Sequence, residues 1–158
     1  YHHCYGMDVR IIRANNMYGC YQYPEKLIPK TILRLNAGLL AHIHGSGHNM
    51  RSFLHVSDFC RAVELIVSSG MPGGIYNVPS DDEYRNIDMV KLICDFMGKD
   101  PCTSISFVED RPHNDSRYLI EGPRLQELGW KQSKRVENEL KAIIDWYLGR
   151  EWPSINLN

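Results

Sequence analysis

Five short runs of strand-forming residues alternate with stretches of helical periodicity, and this alternation constrains the fold more than any other feature of the chain. Asp8-Val9-Arg10-Ile11-Ile12-Arg13 has a continuous β-branched block and reads as a short buried strand. It breaks into a polar turn, Ala14 to Gly19. Leu27, Ile28, Ile32, Leu33 and Leu35 recur at helical spacing, so a helix is predicted over 27–36, ended by Gly38. Strands follow at 40–44 and 49–56, divided by the Gly45-Ser46-Gly47 turn. A helix is predicted to 69, with Ser57 as its N-cap, Asp58 favouring the first turn, and Phe59, Ala62, Val63, Ile66 and Val67 facing inward. Ile75–Val78 reads as another buried strand. A helix over 86–97, a strand over 105–108 and helices near 123–128 and 136–148 complete the pattern. Strands alternating with helices predict an α/β protein.

A parallel strand needs neighbours and cannot hairpin onto the next one. A buried strand within the first residues therefore predicts partners from earlier sequence, and the chain reads as the C-terminal part of a larger protein. The totals narrow the function. At 158 residues this is one domain or a piece of one, and the 43% apolar content supports a core. Lys+Arg 18 against Asp+Glu 19 leaves no basic excess, which argues against nucleic acid. No apolar run approaches the roughly 18 residues of a membrane helix. The five cysteines contain no C-x-x-C pair and read as reduced thiols of a cytoplasmic protein. His2, His3 and Cys4 lack a second ligand cluster, so no metal is expected.

One segment fits no amphipathic element. Glu109 to Tyr118 gathers Asp110, Arg111, His113, Asn114, Asp115 and Arg117 around Pro112. Proline stiffens the loop, and a guanidinium on a stiff loop suits a phosphate. On the residues alone a solvated polar loop remains an equal reading.

The motifs then form an ordered set: Arg13-Ala14-Asn15-Asn16-Met17-Tyr18-Gly19, Pro24-Glu25-Lys26-Leu27-Ile28-Pro29, His44-Gly45-Ser46-Gly47, Arg51-Ser52-Phe53, Val56-Ser57-Asp58, Ile75-Tyr76-Asn77, Asp110-Arg111-Pro112 with Asn114-Asp115 and Arg117-Tyr118, and Leu128-Gly129-Trp130. Together they resemble the C-terminal half of nucleotide-sugar 4,6-dehydratases of the extended short-chain dehydrogenase/reductase superfamily. The likeness runs from about Tyr5 to Trp152. Two branches compete, those acting on dTDP-glucose and those forming the dehydratase part of UDP-rhamnose synthases. Gly98-Lys99-Asp100-Pro101 and the Arg-Pro-x-Asn-Asp loop look closer to the second.

The resemblance implies the last Rossmann elements at about 5–20 and 53–80, and a small α/β substrate-binding domain at about 21–52 and 81–158. It implies that the NAD-binding N-terminal half is absent, since no G-x-G-x-x-G occurs and neither Tyr1 nor Tyr5 has a lysine four residues on. No catalytic residue is expected here. The full-length protein would use NAD, act on dTDP- or UDP-glucose and form a homodimer. Substrate binding is implied for Asn16, Glu25, Lys26, Leu27, His44, Arg51, Asn77, Arg111 and Asn114, with Tyr18 and Gly19 beside the nicotinamide. Pro29, Asp58, Arg117 and Tyr118 are expected to be structural. A stand-alone nucleotide-sugar sensor, or an epimerase or decarboxylase of the superfamily, remain the other readings.

Overall fold

A computed structural model describes residues 1–152. In chain order its elements are α1 (His2–Tyr5), β1 (Ile11–Ala14), β2 (Asn16–Tyr18), α2 (Leu27–Asn36), β3 (Ala41–His44), β4 (Met50–His55), α3 (Val56–Ser69), β5 (Ile75–Val78), β6 (Glu83–Arg85), α4 (Asn86–Phe96), α5 (Pro101–Ser104), β7 (Ile105–Val108), β8 (Arg117–Tyr118), α6 (Pro123–Glu127) and α7 (Val136–Leu148). The α/β class follows from parallel pairing across helices. β1 pairs β5, β2 pairs β4 and β3 pairs β7, each in parallel, while β4 also takes β6 antiparallel and β8 parallel.

Two apolar clusters organise these elements. In the larger, Ile28, Ile32 and Leu35 of α2 meet Val90, Ile93 and Cys94 of α4, Leu140, Ile143 and Ile144 of α7, and Ala41 and Ile43 of β3. The smaller joins Ala62 and Ile66 of α3, Tyr76 and Val78 of β5, Leu54 of β4, Leu125 of α6 and Trp130. The cluster containing α6 and Trp130 is thus the one built on β5, although both fall in the range 81–158. Residues 153–158 of that range lie outside the described residues.

Several expectations need correction. The first strand is shorter than 8–13 and is not buried, because Ile11 is 48% exposed. Only its Ile12 and Ala14 face packs, against the smaller cluster, and β5 is its one strand partner among the described residues. β5 is likewise half-covered, with Tyr76 and Val78 buried but Ile75 exposed. The polar turn at 14–19 contains a strand, β2, since Asn16, Met17 and Tyr18 pair with Phe53, Leu54 and His55. Helix α3 starts two residues early. Its N-cap is His55, whose Nδ1 accepts from the Ser57 N–H at 3.2 Å, so imidazole does what the hydroxyl of Ser57 was expected to do. Burial holds the His55 pKa below its ordinary value, which keeps that nitrogen an acceptor. Val67 does not face inward and is 65% exposed. The 109–118 loop is not wholly irregular, because Arg117 and Tyr118 pair with Met50 and Arg51.

Asp58 does more than favour a helix start. Fully buried, it accepts from Ser133 N and Lys134 N, both at 2.9 Å, from Ser133 Oγ at 2.8 Å and from Arg61 Nη2 at 2.7 Å. Asp82 acts similarly, accepting from Val136 N at 2.7 Å and Arg135 Nη1 at 3.0 Å. These two carboxylates staple segment 131–136, which leads into α7.

Candidate functional site

Lys26 at the N-cap of α2 and Lys30 and Arg34 within it stand four residues apart and therefore aligned, while Ile28, Ile32 and Leu35 enter the core. That cationic row forms one wall of a cleft of about 770 Å³. The segment from Asn15 to Tyr23 forms a second wall. His42 and His44 of β3, Arg51 of β4, Asn86, and Arg111 and Asn114 of the loop close the rest. The lining holds five Lys or Arg side chains against one acid, Glu25. A low-dielectric concavity of one sign concentrates anions.

The 109–118 loop is held over this cleft by polar contacts. Asp110 Oδ1 accepts from Arg111 N at 2.8 Å and Asn114 Nδ2 at 3.1 Å. His44 Nδ1 lies 3.1 Å from Glu109 O, and Gly45 N donates to Val108 O at 3.0 Å. Gly45 sits at φ +56 against the Asp110 side chain, where a Cβ would collide, so the approach of turn and loop requires glycine. Arg117 grips Glu83 through two 2.7 Å bonds, and Met50 N donates to Ser116 O at 2.8 Å. Arg117 and Tyr118 therefore brace the loop from its far end.

Arg51 is the half-buried member of the arginine pair. Nη1 donates to Met50 O at 2.7 Å and Asp115 O at 2.9 Å, and Nη2 donates to Asn114 Oδ1 at 3.0 Å. Of five guanidinium hydrogens, Nε–H and one on Nη2 keep no partner among the described residues. Arg111 is exposed and its guanidinium has no hydrogen-bond partner among the described residues. One arginine is thus held by protein acceptors and the other stands in solvent.

The 19–23 loop is irregular. Gly19 lies at φ +151, close against Val56, and Tyr21 at φ +64. It is tied from behind by Tyr147, whose hydroxyl donates to Gln22 O at 2.7 Å. Burial first, then the neighbouring Cys20, pushes that hydroxyl up to about 12, so it stays a donor.

Of the expected site residues, Asn16, Glu25, Lys26, Leu27, His44, Arg51, Arg111 and Asn114 line the cleft, as do Tyr18 and Gly19. Asn77 does not. It sits on β5, where Nδ2 donates to Glu121 O at 2.9 Å. Lys26 is ion-paired with Glu25 at 2.8 Å, both exposed, and this bond first, then the Lys26 charge, lowers the Glu25 pKa. Lys30, Arg34, His42, Asn86 and Asn15 also line the cleft and were not anticipated. The four-residue repeat of cations along α2 was readable. The place of His42 and Asn86 depends on sheet register and was not.

Buried polar atoms of Asn15, Tyr18 and Gln22 on the wall are unsatisfied among the described residues. Asn15, 4% exposed, has neither amide atom partnered among the described residues, and neither has the Tyr18 hydroxyl. Burial, then Asp82 and Glu139, holds the Tyr18 pKa well above the usual phenol value, so it is a neutral donor. These groups and the Gly19 backbone suit a polar ligand edge such as a carboxamide or ribose hydroxyl. They fit the rim of a dinucleotide rather than its pyrophosphate, because the 158 residues hold no G-x-G-x-x-G turn.

Comparison with known proteins supplies a context for this geometry. Residues 1–143 match the profile of the GDP-mannose 4,6 dehydratase family. The chain is 44% identical over 153 residues to a trifunctional UDP-glucose 4,6-dehydratase/3,5-epimerase/reductase of Arabidopsis thaliana, covering 96% of this chain and 23% of that protein. It is 38% identical over 157 residues to dTDP-glucose 4,6-dehydratase of Xanthomonas campestris, covering 94% of this chain and 45% of that protein. It superposes with a TM-score of 0.90 and 36% identity on a dTDP-glucose 4,6-dehydratase of Streptomyces venezuelae crystallised with NAD, covering 94% of this chain and 46% of that one. The chain therefore spans less than half the length of these relatives.

Proposed function

Because the chain belongs to the GDP-mannose 4,6-dehydratase family, we propose that it is the substrate-holding part of an NAD-dependent dTDP- or UDP-glucose 4,6-dehydratase. The observation that carries this reading is the convergence of Arg51 and Arg111 on a cleft with five cations and one acid. Such a wall suits a nucleoside diphosphate. Arg51 meets one phosphate with its remaining N–H pair, already oriented by Asn114 and Asp115. Arg111 closes from the loop onto the other. The α2 row adds long-range attraction.

The chemistry supplied by NAD in such an enzyme is removal of hydride from sugar C4 and its return at C6, with water lost across C5–C6 between the two. This chain's residues hold the nucleotide handle and exclude water from it. Asn15, Tyr18 and Gly19 would present polar groups to the nicotinamide or the sugar. No residue of the cleft is assigned a proton-transfer role, and the chain by itself is expected to be inactive.

Calorimetric titration with UDP and dTDP tests the reading. Arg111→Ala is expected to weaken binding about tenfold to a hundredfold, since charge-assisted bonds contribute roughly 1.5–3 kcal/mol. Equal affinity of wild type and variant would sink the assignment. Incubation of the chain with either NDP-glucose and NAD should release no 4-keto-6-deoxy sugar.

A further inference from the structure

Arg34 is a buried cation whose hydrogen bonds add a second role to the charge it lends the cleft. Its residue is 5% exposed, in the middle of α2. A buried guanidinium needs acceptors, and the chain brings two as it leaves the helix past Gly38. Nε donates to Leu40 O at 2.6 Å, and Nη2 lies 2.8 Å from His42 Nε2. Guanidinium can only donate, so Nε2 must carry a lone pair. A neutral imidazole has one N–H, which Arg34 therefore confines to Nδ1. Burial first, then the charges of Arg34, Lys30 and His44, lowers the His42 pKa, so the ring is neutral near pH 7. Its Nδ1 has no partner among the described residues, and His42 belongs to the cleft wall.

We propose that Arg34 is a positioning residue that fixes His42 as an Nδ1–H donor, and that this donor reads a carbonyl oxygen on the base of the bound nucleotide. The inference rests on the nucleoside-diphosphate reading above. Its logic is the separation of charge types within one cleft. Arg51 and Arg111 present charged forks suited to phosphate. His42 presents a single neutral donor, suited to a neutral acceptor. β3 connects the two zones, because His42 and His44 lie two residues apart on one face and His44 contacts the loop that carries Arg111.

The test uses the full chain. Long-range 15N–1H NMR at pH 7 should show His42 with its proton on Nδ1, and a dominant Nε2–H form overturns the proposal. Arg34→Gln should move the ring toward the Nε2–H form while Arg34→Lys retains Nδ1–H. That readout is not shifted by a purely structural role. His42→Phe keeps ring shape and should weaken UDP binding about threefold to tenfold, the worth of one neutral hydrogen bond, while inorganic pyrophosphate binds unchanged. Unchanged UDP affinity in His42→Phe overturns this inference alone. Failure of wild type to bind either UDP or pyrophosphate overturns the nucleotide reading and this one with it.

Discussion

The two apolar clusters differ in how completely they are covered. The cluster of α2, α4, α7 and β3 buries its helices on several sides, with Ile32, Met89, Val90, Ile93 and Leu140 all at 0% exposure. The cluster under β5 covers one sheet face only, and Ile11 and Ile75, register partners on the other face, lie open. The cleft is cut into the first. Its polar side chains therefore stand on elements whose positions the core fixes from beneath, which binding geometry requires. The second contributes mainly through Asp58. That residue starts α3 yet its bonds end on the segment entering α7, so it couples the half-covered cluster to the closed one.

Asp58→Ala breaks that coupling and is expected to have the largest effect. It orphans the N–H groups of Ser133 and Lys134 and leaves Arg61 unmatched, a loss of about 3–5 kcal/mol. Chemical denaturation checks this, and a loss within ordinary surface-mutation scatter breaks the comparison. Burial alone would raise the Asp58 pKa. The Lys134 and Ser133 N–H groups, the Ser133 hydroxyl and Arg61 outweigh it and hold the carboxyl below its ordinary value. A depressed folded pKa stabilises above the unfolded value of about 3.9 and loses that contribution as pH falls further. Unfolding midpoints of wild type should thus drop below pH 4, with Asp58→Asn showing a flatter acid limb.

The arginine pair comes next. On the proposed reading Arg51→Ala removes a phosphate donor as well as two anchors of the 109–118 loop, whereas Arg111→Ala removes only a donor. UDP affinity should fall about a hundredfold or more for Arg51→Ala, beyond the Arg111→Ala loss. Asn114→Ala removes the loop contacts to Arg51 and Asp110 and should lower affinity about threefold to tenfold. The reverse order in calorimetry would mean that the loop is not held by Arg51.

What the sequence revealed divides along the same physical line. Local periodicity placed α2 and α7 at their observed bounds, since burial of one face dictates spacing, and β7 was placed by residue type. The polar loop and the arginines that flank the cleft were legible from residue type. Long-range pairing was not. β6 and β8 have three and two residues, too short for a pattern, and exist only because β4 offers edges to them. β2 hid inside a polar motif for the same reason. The His55 cap, the stapling of 131–136 by Asp58 and Asp82, and the Arg34–His42 contact all join residues whose types do not announce each other. Asn77, matched by motif, stands apart from the cleft, with its side chain bonded to Glu121 O.

The smallest expected effect tests the open face directly. Ile11 is half-exposed on β1, and its neighbour Ile12 packs against the β5 cluster, so adjacent residues face opposite environments. Ile11→Lys places its charge in solvent and keeps the β1–β5 backbone register. Stability should change by no more than about 0.5 kcal/mol, as for surface positions in general. Ile12→Lys pushes an ammonium toward Leu54, Ile66 and Val78 and should destabilise far more. Paired denaturant melts at equal concentration read the difference. A large loss in Ile11→Lys would show that this face is covered by another polypeptide in solution, and its concentration dependence would identify a second copy of the chain as the cover.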